Sequence, residues 1–183
     1  MEATHAGTQI IGTRFGTLAA SLIFAVLMGF SALVRIPLPY TPVPLTLQTF
    51  VLLTGAGLLG RWGAIQMMSF YLLLGILGAP FFAGGSGFHH LIGATGGYLI
   101  GFAIAAAFIG FLDRKHLSLY RQMALYLGGA IIIYIPGLLQ LKLITGSPWR
   151  DVLFMGLVPF IVADLFKAVG ACLGVRWTRR IMS

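Results

Sequence analysis

The chain has 183 residues, of which 58% are hydrophobic and only 9% charged, with a formal net charge of +8 and a mean hydropathy of +0.96. Soluble domains carry about 25% charged residues, so this inventory excludes a water-exposed globular surface and makes the bilayer the solvent. The basic residues stand singly among apolar runs rather than on one face, which argues against a nucleic-acid partner. No polar linker divides the chain, so residues 1–183 form a single transmembrane domain with a polar N-terminal stretch at 1–14. A single cysteine, Cys172, permits no internal disulfide.

Six apolar runs of membrane length follow in chain order, near 15–35, 45–60, 62–79, 91–112, 122–143 and 152–175, each to be compared with the about 20 residues a spanning helix needs. The second is short for a span, and it begins inside a proline-rich stretch. The first exceeds the about 7–15 residues of a signal-peptide core and lacks a small-x-small cleavage site, so it is expected to be a retained helix. The expected fold is therefore an all-α integral membrane protein of six transmembrane helices. With the N-terminus inside, Arg14, Arg61, Arg114, Lys115, Arg121, Arg176, Arg179 and Arg180 fall at cytoplasmic ends, against Arg35, Lys142 and Arg150 outside. The positive-inside rule then places both termini in the cytoplasm, as an even number of spans also requires.

Three elaborate segments fall on the outer side. RIPLPYTPVPLTLQTF (35–50) is held extended and stiff by Pro37, Pro39, Pro42 and Pro44. FFAGGSGFHH (81–90) is glycine-rich, and ITGSPWRD (144–151) closes the set. The connections on the other side are short or merely charged, so the elaborated face is the expected place of function. Small residues recur every four positions as Gly93, Gly97, Gly101 and Ala105 in the fourth helix, as Gly170 and Gly174 in the last, and as Ser21, Ala25 and Gly29 in the first. Such ridges let helix backbones approach closely in lipid. In the fourth helix the expectation is packing inside the bundle; in the first, Ser21, Ala25 and Gly29 are candidates for a partner-protein interface.

Enzyme chemistry finds little support. Gly84-Gly85-Ser86-Gly87 resembles the GxSG context of intramembrane serine proteases, but a nucleophilic serine needs a base within reach, and no histidine occurs in any later span. His89 and His90 are adjacent on a loop and are expected to be solvated polar residues rather than metal ligands. No Walker-type phosphate loop is present, so nucleotide hydrolysis is expected on other chains.

The strongest signal is a pair of charges inside PFIVADLFKAVGACLG (159–174). A charge at membrane depth costs about 2.5–3.5 kcal/mol on insertion scales and usually faces an interior or a cavity. Pro159 suits the first turn of the sixth helix. Asp164 then lies about 7–8 Å below that start, and Lys167 one turn deeper on the same face. The pair is either a neutralising ion pair or a pocket that offers an acceptor and a donor to a small polar ligand. The second reading is favoured, because apolar residues would pack there at less cost.

Four stretches taken together, IPLPYTPVPLTLQTF (36–50), YLLLGILGAPFFAGGSG (71–87), GATGGYLIGF (93–102) and ADLFK (163–167), resemble the BioY family, the biotin-binding S components of energy-coupling factor (ECF) transporters. The resemblance covers most of the chain, from about residue 20 to 175. Ala94 departs from the proline common before Thr-Gly-Gly, and Phe88 from a common glycine; both lie at a loop–helix boundary. The resemblance implies an S-component bundle with an outward-facing biotin pocket and no cofactor. It also implies a transmembrane coupling protein (T component) and a pair of ABC-type ATPases as partners, and a place in a prokaryotic plasma membrane. Biotin's ureido ring has two N–H donors and one carbonyl acceptor. Asp164 is suited to accept from a ureido N–H, and Lys167 to donate to the ureido oxygen or to the valerate carboxylate. Gln48, Ser86 and Thr95 are further candidate ligand-binding residues, and Tyr40, Tyr71 and Tyr98 candidate apolar walls. Alternatives are an S component for another vitamin, or a proton-coupled secondary carrier using Asp164. No internal similarity between 15–80 and 91–175 supports the carrier.

Overall fold

The structure, a computed structural model, describes residues 14–182. Among these residues, apolar positions at helical spacing produce seven helices: α1 (Arg14–Leu33), α2 (Gln48–Ile76), α3 (His89–Ile92), α4 (Gly96–Leu112), α5 (Leu119–Thr145), α6 (Trp149–Gly156) and α7 (Val158–Ile181). Two short strands, β1 (Arg35–Ile36) and β2 (Leu45–Thr46), form an antiparallel pair with Arg35 opposite Thr46. The prolines between them cannot continue a helix, so the chain leaves α1, runs out and returns to α2 as this small hairpin. Among the described residues, three units, α1, α5 and α6 with α7, are long and apolar enough to cross a membrane.

The expected second and third spans both lie in α2, and a single residue separates them. Gly60 takes φ 67 and ψ −167, a conformation open only to glycine. A straight helix would hold residues 48 and 71 about 35 Å apart. Instead, the Gln48 side chain donates to the Tyr71 hydroxyl, and a Cβ at Gly55 would touch the Met67 sulfur. Residues 48–59 and 61–76 are thus antiparallel arms of a helical hairpin turned at Gly60. The last expected span, 152–175, is broken at Leu157 (φ −129, ψ −57) into α6 and α7, and α7 runs on to Ile181. Pro159 stands in the first turn of α7, as expected.

The small-residue ridges divide by what they face. On α4, a Cβ at Gly97 would lie 2.1 Å from the Pro136 carbonyl oxygen, and one at Gly101 2.6 Å from that of Ile133. This ridge packs against α5, as its spacing predicts. The α1 ridge does not face outward. Ser21 and Ala25 are fully buried, Ser21 Oγ donates to the Gly63 carbonyl at 3.1 Å, and the Phe81 ring fills the space above Gly29. The expected partner face at Ser21, Ala25 and Gly29 is therefore corrected to an internal seam with α2 and the 77–88 loop. A Cβ at Gly174 on α7, by contrast, would meet no described atom beyond its own helical turn within 4 Å.

Gly97→Ala is expected to cost about 1–3 kcal/mol, because it forces α4 off α5. Gly174→Ala is expected to stabilise by up to about 1 kcal/mol through helix propensity. Thermal unfolding of the two variants beside the parent checks both signs.

Candidate ligand site

At the end of the bundle that carries the β hairpin and the glycine-rich loop lies a cavity of about 60 Å³. Val43, Pro44, Leu45 and Thr46 of the hairpin region close one side, and Ala83 comes from the glycine-rich loop. The first turn of α2 supplies Gln48 and Thr49, and the start of α4 supplies Tyr98 and Leu99, with Thr95 just before it and Phe102 deeper along it. Ile133 and Tyr134 on α5 and Phe160, Asp164 and Lys167 on α7 complete it.

The two charges meet within this wall. Lys167 Nζ donates to Asp164 Oδ1 at 2.7 Å, with both side chains almost fully buried. The Tyr134 hydroxyl donates to the other oxygen, Oδ2, at 2.5 Å. The carboxylate is thereby clamped between a cation one turn along its own helix and a phenol from α5. Each carboxylate oxygen still has a lone pair to offer a ligand, and the ammonium still has protons. Charge-assisted bonds of this kind are about twice as strong as neutral ones. The Tyr98 ring meets Tyr134 edge-on at 6.4 Å, and its hydroxyl donates to the Gly156 carbonyl at the α6–α7 junction. α4, α5 and α7 are therefore held in one arrangement around the pair.

Of the residues expected from sequence, Asp164, Lys167, Gln48 and Thr95 are brought together here. Gln48 is buried and belongs to a polar chain: Thr46 Oγ1 donates to its Oε1 at 3.2 Å, its Nε2 donates to Tyr71 Oη, and Tyr71 donates to the Phe81 carbonyl at 3.1 Å. Thr95 precedes the first turn of α4 and makes no capping bond with its side chain. Ser86 does not line the cavity. Its carbonyl pairs with His90 Nδ1 at 3.0 Å, and its loop neighbour Ala83 takes the place at the wall. Among the tyrosines, Tyr98 lines the cavity, Tyr71 stands behind Gln48, and Tyr40 instead packs on Phe154 outside it. Tyr134 was missed in the sequence. The available signal was a lone phenol inside the apolar run IIIYIP, two residues before the helix-interior Pro136.

The BioY family profile matches residues 5–183, almost the whole chain. The chain belongs to the BioY family. Among relatives, the biotin transporter BioY of Thermotoga maritima is 39% identical over 152 residues, covering 82% of this chain and 88% of that protein. The probable biotin transporter BioY of Lysinibacillus sphaericus is 37% identical over 160 residues, covering 82% and 80%. A crystal structure of the S component for biotin from an ECF-type ABC transporter superposes with a TM-score of 0.82 at 28% identity, covering 91% of this chain and 92% of that one. The bundle of this BioY-family chain is thus the S-component fold of a membrane transport protein, not of an enzyme.

Removing Lys167 as the methionine variant leaves a buried carboxylate with the phenol alone, and this is expected to cost about 3–5 kcal/mol. Lys167→Met combined with Asp164→Asn removes both charges and is expected to be less destabilised than the two single losses added together. Ligand-free thermal midpoints of the three variants test the coupling; strict additivity would sink it.

Proposed function

We propose that this chain is the biotin-capturing S component of an ECF-type transporter, with the ureido ring held at Asp164 and Lys167. The observation that carries the proposal is the clamped Asp164–Lys167–Tyr134 arrangement inside a cavity whose remaining wall is mostly apolar. A ureido N–H is matched to Asp164, and Lys167 donates to the ureido oxygen or the valerate carboxylate. Gln48 and Thr95 supply further polar contacts, while Leu99, Phe102, Ile133 and Phe160 cover the apolar part of the ligand. A site built to hydrogen-bond its ligand rejects analogues that lack the matching groups, because its own buried polar atoms are then left unpaired. The names of the relatives support biotin over another vitamin.

The chain carries no phosphate-binding loop, so the energy for uptake is assigned to a T component and ABC-type ATPases on other chains. The distribution of Lys and Arg orients both termini to the cytoplasm of a prokaryotic plasma membrane.

Equilibrium binding of radiolabelled biotin to the purified chain is expected to be tight. Asp164→Asn, Lys167→Met and Tyr134→Phe are each expected to weaken it by about tenfold to a hundredfold, the worth of one charge-assisted hydrogen bond. Binding that survives all three in folded protein would reduce the pair to a structural ion pair. No binding by the parent would overturn the biotin assignment.

A further inference from the structure

The opposite end of the bundle carries a second recess, of about 460 Å³, lined by Lys115, Gln122, Arg176, Trp177, Arg179 and Arg180. Four of the six lining residues are cations and none is an acid. Among the described residues, the Asp113 carboxylate bonds to this cluster. It is buried and accepts from Gln122 Nε2 at 2.9 Å, from Tyr126 Oη at 2.8 Å and from both terminal nitrogens of Arg179 at 3.2 Å.

The guanidinium groups are held by the protein itself. Arg176 Nη1 donates to the Leu117 carbonyl and to Gln122 Oε1, each at 3.0 Å, and Arg179 Nη2 donates to the Gly57 carbonyl at 2.6 Å. Arg179 Nε is buried and has no hydrogen-bond partner among the described residues. Positive charge concentrated by fixed side chains is preorganised for an anion.

The neighbouring surface decides which anion. Leu173, Trp177 and Ile181 follow at i, i+4 and i+8 along α7, and all three are exposed. Arg176 and Arg180 form the adjacent row. An apolar stripe running out of the bilayer into a cationic recess, with an exposed tryptophan at the junction, matches a phospholipid from acyl chain to headgroup. A soluble phosphate would use the cations and leave the stripe unused.

We propose that this recess binds the headgroup phosphate of an anionic phospholipid, with the acyl chains lying along Leu173, Trp177 and Ile181. The inference needs only that the chain is a membrane protein and does not depend on the vitamin assigned above.

The test uses the full chain carrying Trp62→Phe and Trp149→Phe, so that Trp177 is the sole fluorescent reporter, in phosphatidylcholine vesicles. Brominated phosphatidylglycerol is expected to quench Trp177 at a mole fraction about tenfold or more below brominated phosphatidylcholine. Lys115→Gln with Arg180→Gln removes two rim cations and leaves the Asp113 network intact; it is expected to bring the two quenching curves together. Arg14→Gln with Arg61→Gln removes equal charge at the same end and is expected to leave them apart. Coincident curves in the parent, an equal loss in both paired variants, or displacement of the brominated phosphatidylglycerol by an equal concentration of inorganic phosphate would overturn the proposal.

Discussion

A carboxylate taken out of water must be given partners, and Asp164 sets the terms for everything at its end of the bundle. Desolvating an ion costs several kcal/mol even after relaxation. That cost is met from two directions, by Lys167 on α7 itself and by Tyr134 on α5. The partners are on different helices, so the charge can be buried only when α5 and α7 stand in one relation to each other. The cavity occupies the space this relation defines. A site whose polar groups are already satisfied and fixed before the ligand arrives loses little further freedom on binding.

The close approach of α4 to α5 completes the arrangement. Glycines at 97 and 101 put the α4 backbone against the carbonyls of Pro136 and Ile133, where any side chain would collide. That approach brings Tyr98 edge-on to Tyr134 and lets its hydroxyl reach Gly156, so the break between α6 and α7 is tied to the same cluster. Without hydrophobic force between helices in lipid, packing and interhelical hydrogen bonds must supply this order.

The two ends solve the same electrostatic problem differently. At the cavity end the carboxylate keeps acceptor capacity and borders open space. At the other end Asp113 is enclosed by Gln122, Tyr126 and Arg179, beside a recess lined mainly by basic side chains. One end is suited to a small ligand with both donors and acceptors, the other to an anion at the membrane surface. Gly60 helps to join the ends, because its turn returns the chain from the Asp113 end to the cavity end within one hairpin.

The sequence by itself determined the solvent, the apolar segments and the charged pair. Composition leaves no other medium than lipid, and the three-residue spacing of Asp164 and Lys167 after Pro159 puts both on one helical face whatever surrounds them. The four-residue ridge of Gly97 and Gly101 likewise shows close packing. Direction was left to the tertiary structure. The spacing of Ser21, Ala25 and Gly29 defines a ridge but not its neighbour, and the residues that fill it, Gly63 against Ser21 and Phe81 against Gly29, come from 42 or more positions further along the chain. Ser86 and Ala83 sit in one loop of positive-φ glycines, so which of them reaches the cavity depends on a loop shape that composition does not encode. Tyr134 was hidden because a phenol in an apolar run usually faces the membrane interface. Only the pairing of α5 with α7 turns it toward Asp164, and such pairings are set by non-local packing rather than by any local pattern.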